Sequence, residues 1–188
     1  IQELLLNGQP WEGDIIQPPC VLEKRIRILV DDEKVNPSVP DPWEENCKAW
    51  QVLWRDCDIR MEAADEWQGA LRYNIFQLLC NNASGDPNVS IGARGLTHGR
   101  YKGNTFWDTD IFLFPFYCWH RPEAAKNLAQ YRLNRLEDAK ALAKKQNLSG
   151  ARFPWMCSTD GLEQCESWDI GFCETHITAD VAYAIHRY

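Results

Sequence analysis

The stretch PEAAKNLAQYRLNRLEDAKALAKKQNLSG, residues 122–150, decides the fold class. Pro122 has the fixed φ that suits a first helical turn, where a missing N–H is no loss. Behind it Leu128, Tyr131, Leu136, Ala139, Leu142 and Ala143 fall on one face at helical spacing. The pattern closes near Gly150, so the spacing predicts one long helix. Upstream, residues 43–59 place Cys47, Trp50, Leu53, Trp54 and Cys57 on a similar stripe. Residues 67–79 do the same with Leu71, Ile75, Leu78 and Leu79. Downstream, Ile177, Val181, Ala184, Ile185 and Tyr188 mark a last helix.

The connections are long. Residues 81–104 hold Gly85, Gly92, Gly95, Gly99 and Gly103, and residues 156–173 form a polar loop. Loops well beyond the usual ~4–6 residues favour a functional role over plain connection. The expected fold is therefore all-α, a toroid or bundle whose loops hold a site. Residues 1–42 differ from the rest. Pro10, Pro18, Pro19, Pro37, Pro40 and Pro42 interrupt two short apolar runs, and residues 25–30 alternate like a half-buried strand.

Composition narrows the class. With 188 residues, 45% hydrophobic and 25% charged, the chain reads as a globular protein with one core. Twenty basic against 27 acidic residues give −7, which argues against a nucleic-acid partner. No apolar run approaches the ~18 residues of a membrane span; the longest, residues 111–119, is interrupted by Pro115. The chain opens without Met or a signal-like segment and stops inside a helical pattern, so a cytoplasmic piece of a longer protein is expected.

Nine Trp, seven Phe and six Tyr supply flat apolar faces that either fill a core or stack on sugar rings or bases. The eight Cys contain no Cys-x-x-Cys, and several sit in apolar helical patterns, Cys80 and Cys118 among them. Reduced, buried thiols are the expectation, with disulfides and zinc as alternatives. None of the four His pairs with Cys at finger spacing, so no metal is expected.

Residues 92–110, GARGLTHGRYKGNTFWDTD, are the chemically richest stretch. Gly95, Gly99 and Gly103 lack the spacing of nucleotide loops. Trp107 beside Asp108 allows two readings. A sugar site needs an indole platform and a carboxylate that accepts two hydroxyl hydrogen bonds. Equally, Trp107 could be core and Asp108 an N-cap. Asp110 reads as a first-turn carboxylate favourable to the helix dipole. Asp58, Glu62, Asp65 and Glu66 read as a solvated acidic face. His176 reads as a satisfied polar group at a helix start rather than a catalyst.

Taken together, these residues resemble glycoside hydrolase family 65, which includes maltose, trehalose, kojibiose and nigerose phosphorylases and some α-glucosidases. The resemblance rests on Ile91-Gly-Ala-Arg-Gly-Leu-Thr, Phe106-Trp-Asp-Thr-Asp-Ile-Phe with Pro115-Phe, Asn127-Leu-Ala-Gln-Tyr-Arg and Gly150-Ala-Arg-Phe-Pro-Trp. It continues through Asp160-Gly-Leu-Glu-Gln and His176-Ile-Thr-Ala-Asp-Val-Ala-Tyr, covering roughly residues 50–188. It implies that residues 43–188 are the first part of an (α/α)6 catalytic barrel. Residues 1–42 would be a linker or the end of an N-terminal β-sandwich.

The resemblance further implies that Trp107 and Asp108 bind the glucosyl unit at the −1 subsite. Tyr101 would be a second sugar contact and Glu163 an acceptor contact, in a loop with Asp160 that shapes acceptor choice. Arg94 and Arg152 would be site-wall residues, or members of structural ion pairs. No catalytic residue is expected within the chain, because the family's general acid falls beyond Tyr188. The implied reaction is inverting: an acid protonates the glycosidic oxygen while phosphate attacks the opposite face, giving β-glucose 1-phosphate. In the hydrolases water replaces phosphate; a non-catalytic carbohydrate-binding remnant is a third reading. The implied partners are an α-linked glucose disaccharide and phosphate, with no cofactor, and a homodimer of the complete enzyme as one assembly. His98-Gly-Arg-Tyr101 and Gly103-Asn104 depart from the family's Gly-Glu-Gly-Tyr and Gly-His, altering the charge beside the donor site. A half-toroid would expose apolar helix faces, so the isolated chain is expected to associate.

Overall fold

The computed structural model describes residues 2–13, 15–26, 29, 31, 32, 34, 42–62, 64–81, 85–95 and 99–188. The chain divides into two compact units, residues 1–47 and 48–188.

The first unit is built on an antiparallel sheet of β1 (Gln2–Leu6), β2 (Gln9–Pro10) and β3 (Leu22–Ile26), with β1 in the centre. Leu6 pairs with Gln9, leaving Asn7 and Gly8 as a two-residue turn. Both residues have positive φ, 51° and 80°, which the Asn-Gly pair tolerates and which matches the strand twist. The Val21 N–H donates to Asn7 Oδ1 at 2.9 Å, tying the hairpin to the chain entering β3. The expected half-buried strand at residues 25–30 is displaced: β3 ends at Ile26 and all five of its residues are exposed. Arg27, Ile28 and Val30 lie outside the described residues.

Helix α1 (Pro42–Cys57) and helix α2 (Asp65–Cys80) follow the spacing read from the sequence. On α1 the five stripe residues Cys47, Trp50, Leu53, Trp54 and Cys57 are all at least half-buried. Cys57, Ile75 and Leu79 form a core cluster against Trp50, Leu53, Trp54 and Leu71. Asp58 is no solvated charge: Arg72 of α2 donates to both its oxygens at 2.8 and 2.6 Å. Its carboxyl is accordingly held below its usual range, chiefly by that hydrogen bonding. Glu62, Asp65 and Glu66 are exposed, as expected.

Next come β4 (Thr105–Phe106), a π-helical turn (Thr109–Leu113), α3 (Phe114–His120), α4 (Pro122–Leu133) and α5 (Leu136–Lys145). Then β5 (Met156–Cys157), a second π-helical turn (Trp168–Phe172) and α6 (Ile177–Arg187) complete the unit. The architecture is helix-rich rather than purely helical, because β4 and β5 pair as a short antiparallel ladder. Helix α6 packs on the first π turn, α3 and α4. Ile185 joins two core clusters, one around Phe114, Tyr117 and Leu128, the other around Phe153, Ile177 and Val181. Among the described residues no helix is long and apolar enough to cross a membrane.

The single helix expected over residues 122–150 is two helices. It breaks at Asn134 and Arg135, whose side chains leave the helix to hold loops. Asn134 donates to the Pro87 carbonyl and to Asn88 at 3.4 and 3.2 Å. Arg135 donates to the carbonyls of Asn88 and Thr159 at 3.1 and 2.7 Å. One break therefore fixes both long loops. Helix α5 also ends earlier than Gly150: Asn147 takes the left-handed conformation, φ 58°, two residues past Lys145.

All eight cysteines are free thiols. Cys57 and Cys157 are buried as small apolar groups, but Cys80, expected inside an apolar stripe, is exposed.

Candidate functional site

Trp107 and Asp108 sit where β4 runs into the first π turn. Asp108 occupies the capping position with helical φ/ψ of −50° and −37°, and its side chain makes no capping hydrogen bond. An N-cap needs a non-helical backbone, so the capping reading of Asp108 is overturned. The residue is exposed. Trp107 is half-buried and lies on the cluster of Ala139, Phe153, Ile177 and Val181.

Asp110 is not a solvent-facing dipole partner. It is buried, and Arg132 of α4 clamps it. The Nε–H donates to both carboxylate oxygens at 3.1 Å, and Nη2 donates to Oδ2 at 2.5 Å. Nη2 also donates to the Phe106 carbonyl at 3.2 Å, anchoring the peptide next to Trp107. Burial works against the guanidinium charge, yet Asp110 more than offsets it and the Arg132 pKa stands raised.

A chain of ring and polar contacts runs from Trp107 to Tyr101 and Arg94 through residues between them. His176 stands perpendicular to Trp107, ring centres 4.6 Å apart. Its Nδ1 pairs with Asp180 at 2.6 Å and its Nε2 with Glu174 at 3.3 Å. Glu174 also accepts the indole N–H of Trp155 at 2.9 Å. Trp155 meets Phe106 edge to face at 5.0 Å, and Phe106 meets Tyr101 likewise at 5.1 Å. The guanidinium groups of Arg94 and Arg100 lie over the Tyr101 ring at 5.9 and 5.7 Å.

Two of the expected residues hold loops. Glu163 receives the N–H groups of Trp155, Met156 and Cys165 at 2.6, 3.0 and 2.9 Å. Three amides on one carboxylate close the loop after β5 around it. Arg152 is buried and donates from Nη2 to the carbonyls of Gly171, Phe172 and Glu174. It thus receives the C-terminal end of the second π turn, where carbonyls are otherwise unpaired. Asp160 accepts from the Ser158 hydroxyl and the Leu162 N–H, chiefly the former, and its carboxyl is held below its usual range.

Within the Gly-rich loop, Gly95 is a position where a side chain would be costly. Its φ is +55°, and an added Cβ would collide with the Asn81 side-chain amide. His98 lies outside the described residues. Among the described residues no group of three or more His, Cys, Asp or Glu could hold a metal ion.

The Asp180 hydrogen bond above all raises the His176 pKa above its ordinary 6.5; burial works against it, and Glu174 adds a lesser push upward. The stabilisation is fully present below 6.5 and fades as pH rises through the folded-state value. An NMR titration of the His176 ring should give a midpoint above 6.5 that falls in Asp180→Asn; equal midpoints in the two proteins would refute the pairing.

The network was partly missed from sequence: Glu174, Asp180 and the Trp155 anchor were not singled out. Glu174-x-His176 with Asp180 one turn later was the available signal.

The half-buried Trp107 indole and the exposed Asp108 carboxylate thus stand side by side where β4 runs into the first π turn of a helix-rich unit. Residues 72–188 match the glycosyl hydrolase family 65 central catalytic domain, and the chain belongs to that family. It is 40% identical over 156 residues to the kojibiose phosphorylase of Caldanaerobacter subterraneus subsp. tengcongensis, covering 77% of this chain and 20% of that protein. It is 36% identical over 169 residues to the maltose phosphorylase of Bacillus subtilis, covering 89% of this chain and 22% of that protein. A solved human-microbiome protein assigned as a kojibiose phosphorylase superposes with TM-score 0.72 at 36% identity, covering 77% and 20%. The chain thus spans about a fifth of the length of the relatives it matches.

Proposed function

We propose that this chain carries the glucosyl-binding element of an inverting α-glucoside phosphorylase, which cleaves an α-glucosidic bond with phosphate to give β-glucose 1-phosphate. Residues 43–188 would be the first part of its (α/α)6 barrel, and residues 1–42 a linker or the end of a β-sandwich. The observation that carries this reading is the pairing of an exposed Asp108 carboxylate with the half-buried Trp107 indole. The names of the relatives support phosphorolysis.

In this reading Asp108 accepts two glucose hydroxyls while Trp107 lies against the ring C–H groups. Tyr101 and Arg94 would serve as further contacts of that subsite, and Arg152 and Glu163, which hold the loop after β5 and the end of the second π turn, would act on the acceptor side. In keeping with the family resemblance, no carboxylate of this chain is assigned the proton transfer to the leaving oxygen, which an inverting mechanism gives to a carboxylic acid.

The test is product analysis with the complete protein containing this chain, given kojibiose, maltose or trehalose. Phosphate-dependent release of β-glucose 1-phosphate is expected. Glucose release independent of phosphate would overturn phosphorolysis in favour of hydrolysis, and glucose binding without turnover would leave a carbohydrate-binding remnant.

A further inference from the structure

Trp107 is held without a hydrogen bond of its own. Its indole Nε1 is buried and has no partner among the described residues, so packing alone sets the angle of the ring. Two rings flank it. Phe112 lies 5.7 Å away, tilted by 51°, and is 65% exposed, so it is a loose neighbour. His176 stands at 4.6 Å and 89°, and both of its ring nitrogens are tethered.

Those tethers lead to different parts of the fold. Asp180 lies one turn along α6, a helix whose Ile177 and Val181 are buried in the core. Glu174 lies on the loop whose carbonyls Arg152 receives, and its Oε2 accepts the Trp155 indole N–H as well as the imidazole. His176 is therefore referenced to the rigid helix on one side and to the second indole on the other.

We infer that His176 is the positioning residue of the site: clamped between Asp180 and Glu174, it fixes the plane of the Trp107 indole and couples it to Trp155. It does not touch the sugar; it sets the face on which the sugar lies. The sugar-binding half of this inference rests on the reading proposed above. The orientation half is independent of it. A purely helix-capping His176 would change stability and leave the indole geometry alone.

The test uses the protein labelled with 15N at its indole nitrogens, with the Trp107 and Trp155 signals assigned by single Trp→Phe variants. His176→Ala should shift both Nε1–H resonances and weaken glucose binding, measured by calorimetry, about three- to tenfold, the scale of one aromatic contact. Asp180→Asn keeps the ring but removes one tether, and should give a smaller change in the same direction. It also carries both readouts should His176→Ala fail to fold. Unmoved Trp107 resonances overturn the inference, as does unchanged affinity in a protein whose wild type binds glucose. A wild type that binds no glucose defeats the proposed function instead, and the resonances then decide the inference by themselves.

Discussion

Replacing Arg132 by Met should destabilise the helical unit by about 3–5 kcal/mol, because it leaves the buried Asp110 carboxylate without its counter-charge. The side chains of Arg132 and Asp110 are 2% and 6% exposed, so water cannot take over the lost partner. That loss is a large share of the ~5–15 kcal/mol that holds a domain together. The double variant Arg132→Met with Asp110→Leu should recover most of it, since an apolar pair of similar volume avoids the desolvation of both charges. Urea unfolding followed by tryptophan fluorescence compares the three proteins. A single variant within about 1 kcal/mol of wild type would show that the pair is not the buried clamp described.

The consequence extends to the site. Nη2 of Arg132 also holds the Phe106 carbonyl, one residue before Trp107. Even where Arg132→Met remains folded, the end of β4 loses an anchor, and affinity for glucose should fall together with stability. In the sequence register Arg132 stands on an otherwise apolar stripe, four residues after Leu128 and four before Leu136, although Leu136 opens the next helix. A charged residue at that register is the sequence sign of a buried pair, but it does not name the partner: Asp110 lies on another element.

What the sequence made legible was periodic. Helices α1, α2 and α6 came from three- and four-residue spacing, and their buried faces follow it, apart from exposed ends such as Trp67 and Tyr188. What stayed hidden was long-range. Nothing local in residues 122–150 marks Asn134 and Arg135 as a break, because the partners that pull them out, Pro87, Asn88 and Thr159, are remote in the chain. The β4–β5 ladder was invisible for a similar reason. Strands of two residues carry no alternation to read.

The site followed the same division. Trp107 and Asp108 are adjacent in the sequence, but only the structure shows which is open to solvent: the carboxylate is exposed and the indole half-buried. Glu163 and Arg152 were readable as charged residues in motifs, but not as the loop clamps they form with backbone amides and carbonyls. Backbone partners leave no side-chain signature in a sequence.

Asp108→Ala should lower glucose affinity about a hundredfold or more while leaving folding intact. Two hydroxyl hydrogen bonds to a carboxylate, each of the charged kind at ~1.5–3 kcal/mol, would vanish together. Because Asp108 is exposed and caps nothing, its removal should change stability by no more than ~0.5 kcal/mol. Asp108→Asn retains acceptor and donor capacity without the charge, so it should fall between the two. Trp107→Ala behaves differently: it removes the platform and also uncovers Phe153, Ile177 and Val181, so affinity and stability should drop together. Calorimetry with glucose, run beside thermal unfolding, separates the two patterns. Equal affinity in wild type and Asp108→Ala would remove this carboxylate from any sugar site. A stability loss in Asp108→Ala as large as in Trp107→Ala would make it a structural group after all.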